Sequence, residues 1–334
     1  VFLGHSVYGA RAMLAYFRKK KIKIFCQAGF NVYDCSKHEA AWNQISISKF
    51  NLLEKKIKKK YIFLYWKKRL LGKSNYFDAK IASSIKNKIK DYPRNVIFLH
   101  IFKDSPFNYL DEKRIFYDYF DWIKKTLKNL KYSNEKWSIR IHPNASRWGE
   151  NQKKIINNLL VNSIELKNKI LIDDNLVSNN FIFNNINRIV TYSGTSHLEA
   201  SCFKIKPIMI SKSSLECIDK NFVLKPKNIK EYKKFLLKKS TDKIFLQPNK
   251  VVNKSKTYLF IRENILSLKK DLNTINIYRQ DKNSLINDDF KSVLKSINLN
   301  KNYLKFLGLN LRLNHSHTFS KSYYKYTNEK YSSF

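Results

Sequence analysis

The run Arg188-Ile189-Val190-Thr191-Tyr192-Ser193-Gly194-Thr195-Ser196-His197-Leu198-Glu199-Ala200, which continues to Pro207-Ile208-Met209-Ile210-Ser211, decides how the chain is read. A short apolar strand breaks at a turn crowded with hydroxyls around Gly194, a helix opens, and a second apolar strand follows. That is one strand–helix–strand unit of a parallel sheet. The turn sets backbone N–H groups and hydroxyls at a helix N-terminus, where anions bind. A local reading competes: Ser196-His197-Leu198-Glu199 fits the S-x-x-E box, in which Glu199 only caps its own helix.

Working outward, the same alternation recurs. Strands are predicted at 96–102, 137–142, 169–173, 188–192 and 207–211, and helices at 113–130, 153–160, 177–185 and 229–239. Such alternation implies a doubly wound α/β domain, entered through the helix-breaking Tyr92-Pro93-Arg94-Asn95 and running over 93–250. Before it, a strand ending at Gly4-His5-Ser6, a helix at 10–20 and a strand at 23–26 begin a smaller α/β domain assigned to 1–92. After it, 251–334 is read as a helical segment that packs back on the domains, with helices at 258–270 and 290–306 and a frayed tail.

Open α/β sheets bind ligands at the carboxyl ends of their strands. His100 and Asp104 follow the first strand of the larger domain, Arg140, His142 and Asn144 end the second, and Ser193 to Ser196 follow the fourth. In the order 3-2-1-4-5 the first strand lies between the second and the fourth, and all three sets meet at one crevice. Pro143 stops its strand, so His142 is presented at the tip, able to donate to a phosphate oxygen. Arg140 or Arg147 would add a charge-assisted bond.

The chain has 334 residues and a formal net charge of +39, which favours an anionic partner, although the charge is spread along the whole length. With 43% hydrophobic and 14% aromatic residues it is expected to fold over most of its length. Its four cysteines form no C-x-x-C pair and imply neither a zinc site nor a disulfide framework. No apolar run approaches the roughly 18 to 20 residues of a membrane span. Since the chain opens at Val1 inside a strand-like run, residues upstream of Val1 are expected. The stretch 39–90 is helical and very basic, with Phe63, Tyr65 and Trp66 among lysines; a basic-aromatic stretch can bind membrane or nucleic acid, and the reading preferred over that is a solvated face whose aromatics turn to the core. His315 and His317 form an isolated H-x-H in a polar tail and are read as incidental.

The runs VIFLHIFKDSP (96–106), FYDYFDWIKKTL (116–127), IRIHPN (139–144) and TYSGTSHLEASCFKIKPI (191–208) together resemble bacterial capsule polysaccharide biosynthesis proteins, relatives of the Kdo transferases of capsule assembly. The resemblance implies a GT-B-like α/β fold, two Rossmann-like domains with parallel sheets facing a cleft, and a metal-independent glycosyltransferase. It implies a nucleotide-sugar donor, CMP-activated for preference, held as a substrate with no cofactor. His142 and Pro143 match a His-Pro donor motif, and Ser193, Thr195 and Ser196, around Gly194, match a Ser/Thr motif. Glu199 stands where such enzymes often carry an acid near the donor, and Arg140, Asn144 and Arg147 complete the expected donor set.

Two departures accompany it. Roughly 90 residues precede Pro93, fewer than the about 100 to 150 of an ordinary domain. The Asp-Gly or Glu-Gly motif that supplies a base in some relatives is not evident, so the base is assigned to His5, with Asp104 as its rival. The expected partners are the donor, a growing glycan or glycolipid acceptor and an anionic inner-membrane surface met from the cytoplasm, with no specific nucleic acid. The alternatives are a polymerase using a CDP-linked glycerol or sugar phosphate and, from another class, a non-catalytic polyanion-binding protein.

Overall fold

Strand register and helix caps together build the larger sheet. The computed structural model describes residues 1–3, 10–28, 31–34, 36, 47–71, 89–103, 115–211 and 220–264. Five parallel strands, β4 (Asn95–Phe98), β5 (Trp137–Arg140), β6 (Ile170–Asp173), β7 (Arg188–Thr191) and β8 (Ile208–Met209), lie in the order β6-β5-β4-β7-β8. Counted within this sheet, that is 3-2-1-4-5, the order the sequence reading needed.

The strands are buried on both faces because their side chains alternate between two cores. Ile97, Ile139 and Val190 enter one cluster with α4 (Tyr119–Leu130) and α5 (Gln152–Leu160), while Val96, Phe98 and Ile189 enter another with α7 (Asn179–Asn185). Five helices start where a short polar side chain satisfies an orphan amide: Asp118, Asn151, Ser163, Ser178 and Asn228 each accept from the N–H three residues on. They open α4, α5, α6 (Ile164–Lys169), α7 and α9 (Ile229–Leu237). At the opposite edge of the sheet from the site, buried Arg188 donates to the carbonyls of Phe235, Leu236 and Lys238, closing the end of α9.

The smaller sheet joins β1 (Phe2–Leu3), β2 (Phe25–Ala28) and β3 (Asn31–Asp34), with α1 (Ala10–Lys19) between the first two. β1 and β2 run parallel, but β2 and β3 are antiparallel, so this sheet is mixed rather than parallel throughout. Only Gly29 and Phe30 separate β2 from β3. Two residues suffice for a hairpin, whereas a parallel return needs a dozen or more.

Helices α2 (Ile47–Lys56) and α3 (Lys59–Leu70) precede the Pro93 break, yet Phe50 and Trp66 share a core with Leu198 and Cys202 of α8 (Ser196–Cys202) and with Tyr258 and Leu259 of α10 (Asn249–Asn264). The expected helix at 290–306, the tail and its two histidines lie outside the described residues. Among the described residues no helix is long and apolar enough to cross a membrane.

Candidate functional site

Phe98, Arg140, Asp173 and Thr191 end their strands, and the parallel register sets Arg140 beside Phe98 on one hand and Asp173 on the other. Arg140 is 2% exposed, and its Nη1 donates to both Asp173 oxygens at 2.8 Å. Asp173 also accepts from the Tyr92 hydroxyl at 2.8 Å and the Leu176 amide at 2.7 Å. The carboxylate thus holds the guanidinium from behind, while Arg140 Nη2 is buried with no hydrogen-bond partner. Arg140 lines a pocket at this edge.

Two histidines stand at the tips of the adjoining strands. His100 and His142 have ring centroids 6.4 Å apart. His142 Nδ1 accepts from the Asn144 amide at 3.2 Å, which leaves Nε2–H as the ring's donor. His100 Nε2 accepts from the Ser193 amide at 3.1 Å, and its ring stacks on Tyr119 at 4.4 Å. Burial, with lesser contributions from His142 and His197, holds His100 neutral by lowering its pKa to about 3. Gln152 ties the two tips together, donating to the His100 carbonyl at 2.7 Å and accepting from the His142 amide at 3.0 Å. Glu150 in turn accepts from Gln152 and from the amides of Phe102 and Lys103. Burial raises the Glu150 pKa despite these donors.

The turn after β7 brings the third set. The Ser193 hydroxyl pairs with Tyr119 at 3.0 Å, and the His197 Nδ1–H donates to the Gly194 carbonyl. Ser196 Oγ is buried without a partner. Gly194 is required by close approach rather than by a special dihedral. A Cβ there would lie 3.1 Å from Thr191 Oγ1 and 3.3 Å from both His100 Nε2 and Ser196 Oγ. Gly194→Ala is therefore expected to destabilise the fold by about 1–2 kcal/mol through overpacking, read as a lower urea midpoint with an unchanged m-value.

The capping box does not form. Thr195 occupies the N-cap position in a helical conformation without a side-chain bond, and Ser196 is already the first helical residue. Glu199 instead pairs with Arg69 of α3 and accepts from Asn179 Nδ2 at 3.2 Å. Arg69 bridges on to Glu263 of α10, so one buried guanidinium joins α3, α8 and α10. The guanidinium holds the carboxylate in place of the local amide, because Glu199 buried away from a counter-charge would cost far more than an empty cap. With seven residues, α8 is also too short for its dipole to carry an anion by itself.

Since Asn179 Nδ2 faces a carboxylate, its Oδ1 is fixed as the remaining acceptor, and it is buried without a partner. Asn175 Oδ1 is in the same condition, on a residue whose backbone is left-handed at φ 56°.

Of the residues expected from the sequence, Arg140, His142, Pro143, Gly194, Thr195, Ser196 and Glu199 line this one pocket, together with His100. Asn144, Arg147 and Ser193 are not among its lining residues: Asn144 supports His142, Ser193 is turned to Tyr119, and Arg147 is exposed on a 3-10 turn. His5 and Asp104 lie outside the described residues. Sequence reasoning missed Asn175, Asn179, Gln152 and Arg69. Among the described residues no three His, Cys, Asp or Glu side chains cluster as metal ligands do.

Among the solved structures that resemble the chain are the following two. One is Thermosulfurimonas dismutans KpsC, a beta Kdo 2,4 transferase, at 11% identity and a TM-score of 0.42, with 75% of each chain covered. The other is Methanocaldococcus jannaschii UDP-GlcNAc 2-epimerase in complex with UDP-GlcNAc and UDP, at 15% identity and a TM-score of 0.35, covering 75% of this chain and 71% of that one. No protein-family model and no curated protein matches. Likenesses this distant do not transfer an activity, and the functional reading rests on the pocket.

Proposed function

We propose that the chain is a glycosyltransferase that moves a sugar from a nucleotide-activated donor, a CMP-sugar for preference, to a growing capsular or surface polysaccharide or glycolipid. The observation that carries this reading is Arg140, a buried guanidinium with one nitrogen neutralised by Asp173 and the other without a partner. An unfilled donor of this kind suits a phosphate oxygen. Ser196 Oγ and His142 Nε2–H add donors for the same group, while Asn175 and Asn179 offer acceptors for ribose or sugar hydroxyls.

In the transfer, the bond from the anomeric carbon to the donor phosphate breaks as the bond to the acceptor oxygen forms. Arg140, His142 and Ser196 stabilise the departing phosphate, with no metal assigned to the step. The acceptor proton goes to a base, for which His5 and Asp104 remain the candidates. The protein would work from the cytoplasm, with the donor domain over 93–250 and the smaller α/β domain on the acceptor side.

A thermal-shift panel of CMP, CDP, UDP and GDP tests the reading. A nucleotide present at about 100 times its Kd should stabilise the wild type by about 2.7 kcal/mol, a rise of several degrees. His142→Ala and Ser196→Ala should each lose most of that rise. If no nucleotide shifts the wild type at millimolar concentration while polyanions do, the transferase reading is wrong for this chain.

A further inference from the structure

The outward face of α3 departs from what a helix on a folded protein should present. Its inner face carries the buried Trp66 and Arg69. At 100° per residue the opposite arc holds, in angular order, Phe63, Lys67, Lys60, Leu64, Lys68 and Tyr61. The three apolar members are open to solvent, Phe63 at 67%, Leu64 at 51% and Tyr61 at 48%, and all three lysines are exposed. Trp66 turns inward as the sequence suggested, but Phe63 does the reverse. Leu71 at the end of the helix falls on the same arc and is 64% exposed.

The charge at the start of this helix is also at odds with its dipole, although Lys67, Lys68 and Arg69 in its last turn agree with it. Lys58 is the N-cap and makes no side-chain cap bond, and Lys59 and Lys60 follow with no acid in the first turn. Cations are disfavoured at that end, so the sequence forgoes helix stability to place them there.

We infer that the outer face of α3 is a docking surface for an anionic lipid bilayer. Phe63, Leu64 and Tyr61 enter the boundary between headgroups and acyl chains, and Lys60, Lys67 and Lys68, with Lys58 and Lys59 at the helix start, meet the lipid phosphates. Interleaved apolar and basic residues on one arc are the composition of an interfacial helix. An acidic glycan would use only the lysines, and a nucleic acid could add stacking on Phe63 and Tyr61 but would gain little from Leu64 and Leu71. The +39 net charge supplies the long-range attraction. This inference does not depend on what the pocket binds.

The test is cosedimentation of the full chain with phosphatidylcholine vesicles, with and without roughly 30% phosphatidylglycerol, at about 0.15 M salt. Because the substituted residues are exposed, variants should keep the wild-type melting temperature. Binding is expected only to the anionic vesicles. It should fall on the order of tenfold in Phe63→Ser/Leu64→Ser and by a similar factor in Lys60→Gln/Lys67→Gln/Lys68→Gln. Heparin, a polyanion with no apolar layer, should bind the serine variant as well as the wild type. If the serine variant binds vesicles undiminished, charge alone acts and the inference fails. It fails equally if anionic vesicles bind no more chain than neutral ones, or if RNA binding rather than lipid binding follows the serine substitutions. Nucleotide binding at the pocket is read separately, so failure here leaves that reading untouched.

Discussion

Asp173→Ala should destabilise the larger domain by about 3–5 kcal/mol, a large part of the about 5–15 kcal/mol that holds an ordinary domain together. The substitution leaves the Arg140 guanidinium buried with no counter-charge and removes the acceptor of the Tyr92 hydroxyl and the Leu176 amide. Urea denaturation followed by tryptophan fluorescence measures it, since Trp137 begins the strand that Arg140 ends. An anion in the pocket would restore part of the missing charge. Inorganic phosphate should therefore raise the melting temperature of the variant more than that of the wild type. A loss below about 1 kcal/mol would mean that Arg140 is hydrated in solution, and the pocket would lose its defining charge.

The second large effect is on acid stability. His197 is buried and His100 is half-buried at the pocket wall, and desolvation lowers their pKa values to about 4 and about 3. In the unfolded chain each titrates near 6.5. Between about pH 6.5 and 4 the unfolded state therefore binds more protons than the folded state, a difference that approaches two near pH 5, and stability falls as the pH falls. The slope from the pair approaches about 2.7 kcal/mol per pH unit near pH 5, and the loss between pH 6.5 and 5 is about 3 kcal/mol. Glu150 opposes this just above the ordinary carboxylate range, because its folded pKa is raised and its folded form takes up a proton first. His100→Gln should halve the slope, since only His197 would then titrate. An unchanged slope in that variant would place the acid sensitivity elsewhere.

The sheet was legible because its strands are apolar, short and regularly spaced. The positions of His142 and His100 followed from those boundaries alone: a residue at the end of a parallel strand reaches the ligand edge whatever its neighbours do. Asn179 and Asn175 were not legible, since nothing in the local pattern distinguishes them from the many other asparagines of the chain. Their roles come from a carboxylate and a pocket that other elements supply. Arg69 was hidden in a helix read as surface, and with it the fate of Glu199, whose capping signature is local while its partner is 130 residues away. Phe63 was misplaced because the sequence pattern of α3 has apolar residues all around and does not say which arc faces water.

Arg69 gives α3 a second consequence. The side chain leaves the inner face of α3, holds Glu199, and through Glu199 holds Asn179 in the pocket wall. The ion pair is buried, and the half-buried Asn179 is hydrogen-bonded to its carboxylate, so sliding or tilting α3 must shift a carboxamide that lines the pocket or break the ion pair or that hydrogen bond. If a load on the outside of that helix shifts it, the factor by which the load changes a pocket ligand's affinity must equal the factor by which that ligand changes the load's.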